Sequence, residues 1–133
     1  MRRFTATSPG GFTINKNQGV GSIMGKEETE IQNAIRVALS EIGIVKRNNV
    51  GTFYTFDGRP IAIGIPGEAD LTLFQNGGKT VFIEVKTRTG RQRSKQKRFQ
   101  AAVERLGYDY LIMRSVDDAR RYIETIKRGG GSD

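Results

Sequence analysis

The sequence predicts one α/β domain, a mixed central sheet flanked by helices, and three observations point to it. Apolar residues recur with helical spacing near the start, with strand-like density through the middle, and with helical spacing again in the last third. Glycine-rich breaks separate these segments. A chain of 133 residues with 36% hydrophobic residues carries enough apolar material for one core, whereas two independent cores would each be small and marginal.

Over residues 26–42, Ile31, Ile35, Ala38, Leu39 and Ile42 fall at steps of three and four and form one helical face, with Gly43 expected to close the helix as a C-terminal cap. Four β-rich pieces follow, over residues 53–56, 61–65, 70–74 and 80–87. Asn76-Gly77-Gly78 separates the last two and predicts an antiparallel hairpin. Ser94 caps a second helix whose inner face is Phe99, Ala102, Val103 and Leu106 and which ends at Gly107. Residues 108–113 read as a further strand, and Ser115 begins a last helix carrying Ala119, Tyr122, Ile123 and Ile126. The order is helix, strands, helix, strand, helix. Residues 1–25, rich in Gly, Ser, Thr and Asn, read as a flexible arm. Met24 directly before the first helix makes an appended segment one reading of that arm. The domain is expected over 26–128, with a flexible tail over 129–133.

Composition removes several chemistries. Without Cys, His or Trp, the chain builds no thiol nucleophile, no Ser-His-Asp triad, no disulfide and no Cys/His zinc site. Carboxylates, Lys, Tyr and hydroxyls remain. No apolar run approaches the ~20 residues that span a bilayer, and no signal peptide opens the chain, so an intracellular, cytoplasmic protein without a membrane partner is expected. Lys plus Arg outnumber Asp plus Glu by 22 to 14, a net charge of +8, which calls for a polyanionic partner, nucleic acid before membrane.

The chemistry concentrates in Gly67-Glu68-Ala69-Asp70-Leu71 and, across the hairpin, Phe82-Ile83-Glu84-Val85-Lys86. Side chains alternate along a strand, so Val81, Ile83 and Val85 share one face while Phe82, Glu84 and Lys86 share the other. Asp70 opens the partner strand, where a short hairpin brings its carboxylate towards Glu84. Two carboxylates held together repel unless a cation lies between them, and a hard divalent ion, Mg²⁺ or Mn²⁺, suits oxygen ligands. Such an ion activates water and stabilises the charge that builds on a phosphodiester, while Lys86 orients the water or neutralises that charge. Among Glu27, Glu28 and Glu30, helix angle at ~100° per residue places Glu28 nearest the centre of the apolar face and Glu30 well away. Gln96, three residues before Phe99, faces inward, where an amide holds either a water of the ion or the lysine. On these residues taken alone, an ordinary same-face ion pair between Glu84 and Lys86 stays open, as does a plain first-turn acid at Glu28. Tyr108 and Tyr110 read as packing residues, and Asn48 and Asn49, beside Lys46 and Arg47, as a turn.

The ordered set Glu28-Thr29-Glu30-Ile31-Gln32, Gly67-Glu68-Ala69-Asp70-Leu71, Ile83-Glu84-Val85-Lys86-Thr87 and Ser94-Lys95-Gln96 resembles the virus-type replication and repair nucleases (VRR-NUC), a branch of the PD-(D/E)xK superfamily. The likeness runs from about Glu27 to Ile126, and it departs from the superfamily's name in having Glu68-Ala69 before Asp70 in place of proline. It implies a restriction-endonuclease-like fold. It also implies that Asp70, Glu84 and the backbone carbonyl of Val85 are metal ligands, that Lys86 is the catalytic lysine, and that Glu28 and Gln96 are accessory. Phage or bacterial replication, recombination and repair, and branched DNA substrates such as four-way (Holliday) junctions or flaps, follow from the same resemblance.

Residues 86–98 hold seven basic side chains in thirteen positions and no acidic one. Leaving the strand directly after Lys86, this stretch is where a phosphate backbone passing the ion is met, so Arg88, Arg91, Arg93, Lys95, Lys97 and Arg98 are the expected DNA contacts. Symmetric cutting of a junction needs two sites, hence an expected homodimer. The expected activity is Mg²⁺- or Mn²⁺-dependent hydrolysis of DNA. The alternatives are a non-catalytic DNA-binding module and an RNA endonuclease.

Overall fold

A computed structural model describes residues 12–13 and 25–130. Its elements are β1 (Phe12–Thr13), α1 (Lys26–Leu39), β2 (Gly43–Arg47), β3 (Gly51–Thr55), β4 (Pro60–Ile63), β5 (Leu71–Gln75), β6 (Lys79–Val85), α2 (Ser94–Arg105), β7 (Asp109–Met113) and α3 (Val116–Gly130). Four strands form the central sheet in the order β2-β5-β6-β7, antiparallel except for the parallel β6–β7 pair. That parallel pair needs a crossover, and α2 supplies it. A second, antiparallel sheet has the order β1-β3-β4.

Strand alternation divides the molecule into layers. On one face of the central sheet Leu71, Leu73, Val81, Ile83, Val85 and Met113 pack with Ile35 and Leu39 of α1 and Ala119 and Ile123 of α3. On the other face Phe82 and Tyr110 meet Phe99 and Val103 of α2, beside Ala69. The expected architecture, a mixed sheet between helices, is the observed one.

Several boundaries differ from expectation. Helix α1 stops at Leu39 with Ser40 as its C-cap, and Gly43 instead opens β2, a strand the helical pattern concealed. A Cβ at Gly43 would lie 2.2 Å from the carbonyl oxygen of Phe74, so glycine is required there for β2 to approach β5. Ile44 of this edge strand is exposed, which leaves β2 without the apolar alternation that marks a strand. Strand β6 ends at Val85, and Lys86 continues its line by donating its backbone N–H to Met113 at 3.1 Å. Helix α3 runs through Gly129 and Gly130, past the expected end at 128. The arm expected over 1–25 lies outside the described residues except for Phe12, Thr13 and Gly25, as do residues 131–133 of the tail. Among the described residues no helix is long and apolar enough to cross a membrane.

Candidate active site

The Leu71–Ile83 pairing of β5 and β6 puts Asp70, one residue before β5, beside Glu84. Gly77 and Gly78 supply the two positive φ angles of the connecting turn, which fixes that register. Oδ2 of Asp70 accepts the backbone N–H of Val85 at 2.8 Å, holding the carboxylate against the end of β6. The loop that delivers Asp70 is seated by Gly67, whose φ is +79° and whose missing Cβ would lie 2.1 Å from the carbonyl oxygen of Lys95. Only glycine permits that contact between the Asp70 loop and the start of α2.

Gln96 joins the remaining groups. Its Nε2 donates to Oε2 of Glu84 at 2.5 Å, and its Oε1 accepts from Nζ of Lys86 at 2.9 Å and from the backbone N–H of Arg93 at 2.7 Å. Two donors on the oxygen and an acceptor opposite the nitrogen define one orientation of this amide. Lys86 Nζ also pairs with Oε2 of Glu84 at 3.1 Å, both side chains being buried. Glu84, Lys86 and Gln96 are therefore a closed triangle, and of the two roles expected for Gln96 the one observed is holding the lysine.

Burial, and after it repulsion from neighbouring carboxylates, sets the electrostatics. Desolvation raises the Asp70 carboxyl to about 6, with the charge of Glu28 adding to the rise and the Val85 N–H and Lys86 opposing it. Desolvation also raises Glu84 to about 7, followed by repulsion from Asp70, and the Lys86 ammonium offsets only part of this. The two carboxyls titrate as a pair. Glu28 is half-buried and near enough for its charge to act on both, while Glu27 and Glu30 are exposed, in keeping with the choice made by helix angle. Among the described residues no three His, Cys, Asp or Glu side chains converge closely enough to form a metal cage by themselves. A half-buried Asp70 whose charge raises the proton affinity of the buried Glu84 nevertheless forms a pair that fits a Mg²⁺-like ion, which is commonly held by one or two carboxylates with water and phosphate completing its shell. Glu28 lies outside that inner pair.

Three residues given no role by sequence reasoning belong to this neighbourhood. Tyr110, buried behind Glu84, directs its hydroxyl to Oε1 of Glu84 at 3.5 Å and accepts from Gln92 Nε2 at 3.2 Å. Desolvation raises its pKa, so the hydroxyl stays a donor. Arg114 donates through Nη1 to the carbonyls of Thr87 and Gly90, each at 2.7 Å, and pins the chain that leaves Lys86. Gln32, one turn after Glu28 on α1, is buried with no hydrogen-bond partner for its Oε1. None carries a local signature, because each role depends on contacts 12 or more residues away or on packing. Asn48 has a related part: its Nδ2 donates to the carbonyl of Ala69 at 3.0 Å and to Thr72 Oγ1 at 2.8 Å, steadying the approach to Asp70 in addition to forming the turn read from sequence.

The basic stretch is exposed at Arg88, Arg91, Arg93, Lys95, Lys97 and Arg98, but it divides between the loop after β6 and the first turns of α2. Arg93 and Lys95, with Ser94 and Gln96, line a cleft of about 720 Å³ that includes Asp70, whereas Arg88, Arg91, Lys97 and Arg98 lie outside that lining.

The fold is similar to that of a solved structure described as a VRR_NUC domain, with a TM-score of 0.58 and 20% sequence identity, covering 75% of this chain and 97% of that one. No family model and no curated protein matches the sequence. The chain has the restriction-endonuclease-like α/β fold of a VRR_NUC domain.

Proposed function

We propose that the protein is a nuclease that hydrolyses DNA phosphodiester bonds with a divalent cation, Mg²⁺ or Mn²⁺, at Asp70 and Glu84. The single observation that carries this reading is the buried Glu84–Lys86–Gln96 triangle set beside Asp70. Burying Glu84 and Lys86 with a second, half-buried acid beside them costs stability that a purely structural pair has no reason to spend.

Asp70 and Glu84 would hold the ion, with the carbonyl of Val85 as a third donor. When bound, the ion supplies Lewis acidity towards water and the scissile phosphate. The chain's own residues do the rest. The Val85 amide keeps Asp70 aimed, and Gln96 holds the Glu84 carboxylate and the Lys86 ammonium together through one side-chain amide. Lys86 presents a fixed positive charge to the phosphate as negative charge builds on it. Glu28 adds negative charge at the rim and favours cation capture. Arg88, Arg91, Arg93, Lys95, Lys97 and Arg98 hold the phosphate backbone without reading bases. Water is the nucleophile and no covalent enzyme intermediate forms.

Branched DNA, four-way junctions included, is the proposed substrate, acted on by a homodimer in replication, recombination and repair. The test is cleavage of duplex, single-stranded, flap and four-way DNA and of matched RNA, with Mg²⁺ or Mn²⁺ and with EDTA. Metal-dependent DNA cleavage that Asp70→Ala or Glu84→Ala abolishes, with binding retained, supports the proposal. Binding without cleavage under any metal leaves a DNA-binding module, and preferential RNA cleavage makes it an RNA endonuclease.

A further inference from the structure

The cleft beside Asp70 has two unlike walls. One is the first residues of α2 and the residue before them, Arg93, Ser94, Lys95 and Gln96. The other is the β3–β4 hairpin, contributing Val50, Gly51 and Thr52 with Ala62, Ile63 and Gly64. Thr52 and Ala62 are direct cross-strand partners, so they project from the same face of that hairpin. The hairpin belongs to the second sheet and does not pair with the strands that carry the acids. Apolar side chains around it stay in solvent: Val50, Ile61 and Ile65 are exposed. The central sheet's two apolar clusters include none of them.

We infer that this cleft is a groove for one unpaired DNA strand running to or from the scissile phosphate, with Arg93 and Lys95 along its backbone and the Thr52–Ala62 face against its sugars and bases. The inference rests on the nuclease reading and deepens it by naming which part of a branched substrate the hairpin selects. Size suits a strand: at about 720 Å³ the cleft has the volume of a small-ligand site, roughly 300–1,000 Å³, the scale of a nucleotide or two. Chemistry argues for it as well. A duplex hides its base faces, whereas an unpaired strand offers apolar base surface to one wall and phosphates to the other, the pairing of surfaces that single-strand binders use. The charges are also segregated: both cations of the lining, Arg93 and Lys95, lie on the α2 wall where the strand's phosphates would run, while its two acids, Glu68 and Asp70, lie on the loop before β5.

The experiment measures binding in EDTA, where nothing is cut, by fluorescence anisotropy with a single-stranded DNA, a 3′- or 5′-tailed duplex, a blunt duplex and a single-stranded RNA of the same sequence. Wild type is expected to bind the tailed duplex more tightly than the blunt one. Ala62→Trp, which fills the cleft from an exposed position, is expected to weaken tailed and single-stranded DNA roughly tenfold while changing the blunt duplex less than about twofold. Thr52→Tyr repeats the loss from the neighbouring strand should Ala62→Trp fail to fold. Equal loss on every DNA, no loss on any, or no preference for a tail overturns the groove, and tighter binding of RNA than of DNA overturns its assignment to DNA. Failure of the nuclease reading looks different: the tail preference and its loss in Ala62→Trp persist, but no metal produces cleavage.

Discussion

The two faces of strand β6 are opposite in character. On one, Val81, Ile83 and Val85 are fully buried among Leu71, Leu73, Ile35 and Leu39, with no polar group to satisfy. On the other, Glu84 is just as buried but is satisfied only by a lysine, an amide and a distant tyrosine hydroxyl. One strand seven residues long thus carries both the anchor of the fold and its most costly groups. The stability of the apolar face permits the strain of charge on the other, which is what a preorganised site requires.

Substitutions across β6 separate these two contributions. The largest effect is expected on activity: Glu84→Gln and Asp70→Asn lower DNA cleavage by on the order of 10³-fold in a steady-state assay while DNA binding persists. Next comes Ile83→Ala, which empties a fully buried site and is expected to cost about 2–5 kcal/mol by urea unfolding, with the residual folded fraction keeping its cleavage rate. Equal loss of stability from Glu84→Gln and Ile83→Ala would erase the distinction between the faces.

A smaller effect follows from titration. With folded values of about 6 for Asp70 and about 7 for Glu84, both above their ordinary 3.8 and 4.5, the folded state binds more protons than the unfolded chain through this window. In the absence of metal, stability should fall as pH rises from about 4 through about 7 and level off above. Glu84→Gln, which resembles the protonated acid, matches wild type near pH 5 and is the more stable protein at pH 8. Unfolding midpoints against pH check this, and added Mn²⁺ should recover the loss in wild type and not in the variant. The smallest change is expected of Arg114→Met. Freeing the carbonyls of Thr87 and Gly90 loosens the basic loop and raises KM about fivefold, the equivalent of one hydrogen bond worth ~1 kcal/mol, with kcat little altered.

Much of this arrangement was readable from local pattern, and the remainder was not for identifiable reasons. Period-two alternation was enough to put Glu84 and Lys86 on the face opposite Val81, Ile83 and Val85, and the Asn76-Gly77-Gly78 turn fixed the register that brings Asp70 alongside. Helix angle selected Glu28 and Gln96, because both helices bury one stripe. Strand β2 escaped because Ile44 faces solvent on an edge, so no alternation marks it, and Gly43 looked like a helix stop when its role is close approach to Phe74. Tyr110 and Arg114 were invisible for another reason: the parallel β6–β7 pairing that brings them to the site forms only through the α2 crossover. A run of basic residues likewise has no sequence signature for which of its members face a cleft, and the seating of the start of α2 against the Asp70 loop assigns that to Arg93 and Lys95.

Soaking crystals in manganese and collecting anomalous diffraction puts the pairing of the two acids to its sharpest trial. A single strong peak is expected between Asp70 and Glu84, about 2.1 Å from a carboxylate oxygen of each. A soaked crystal with no peak there, or with manganese only at surface acids such as Glu27 and Glu30, would contradict the reading of this face as a cation-dependent nuclease centre.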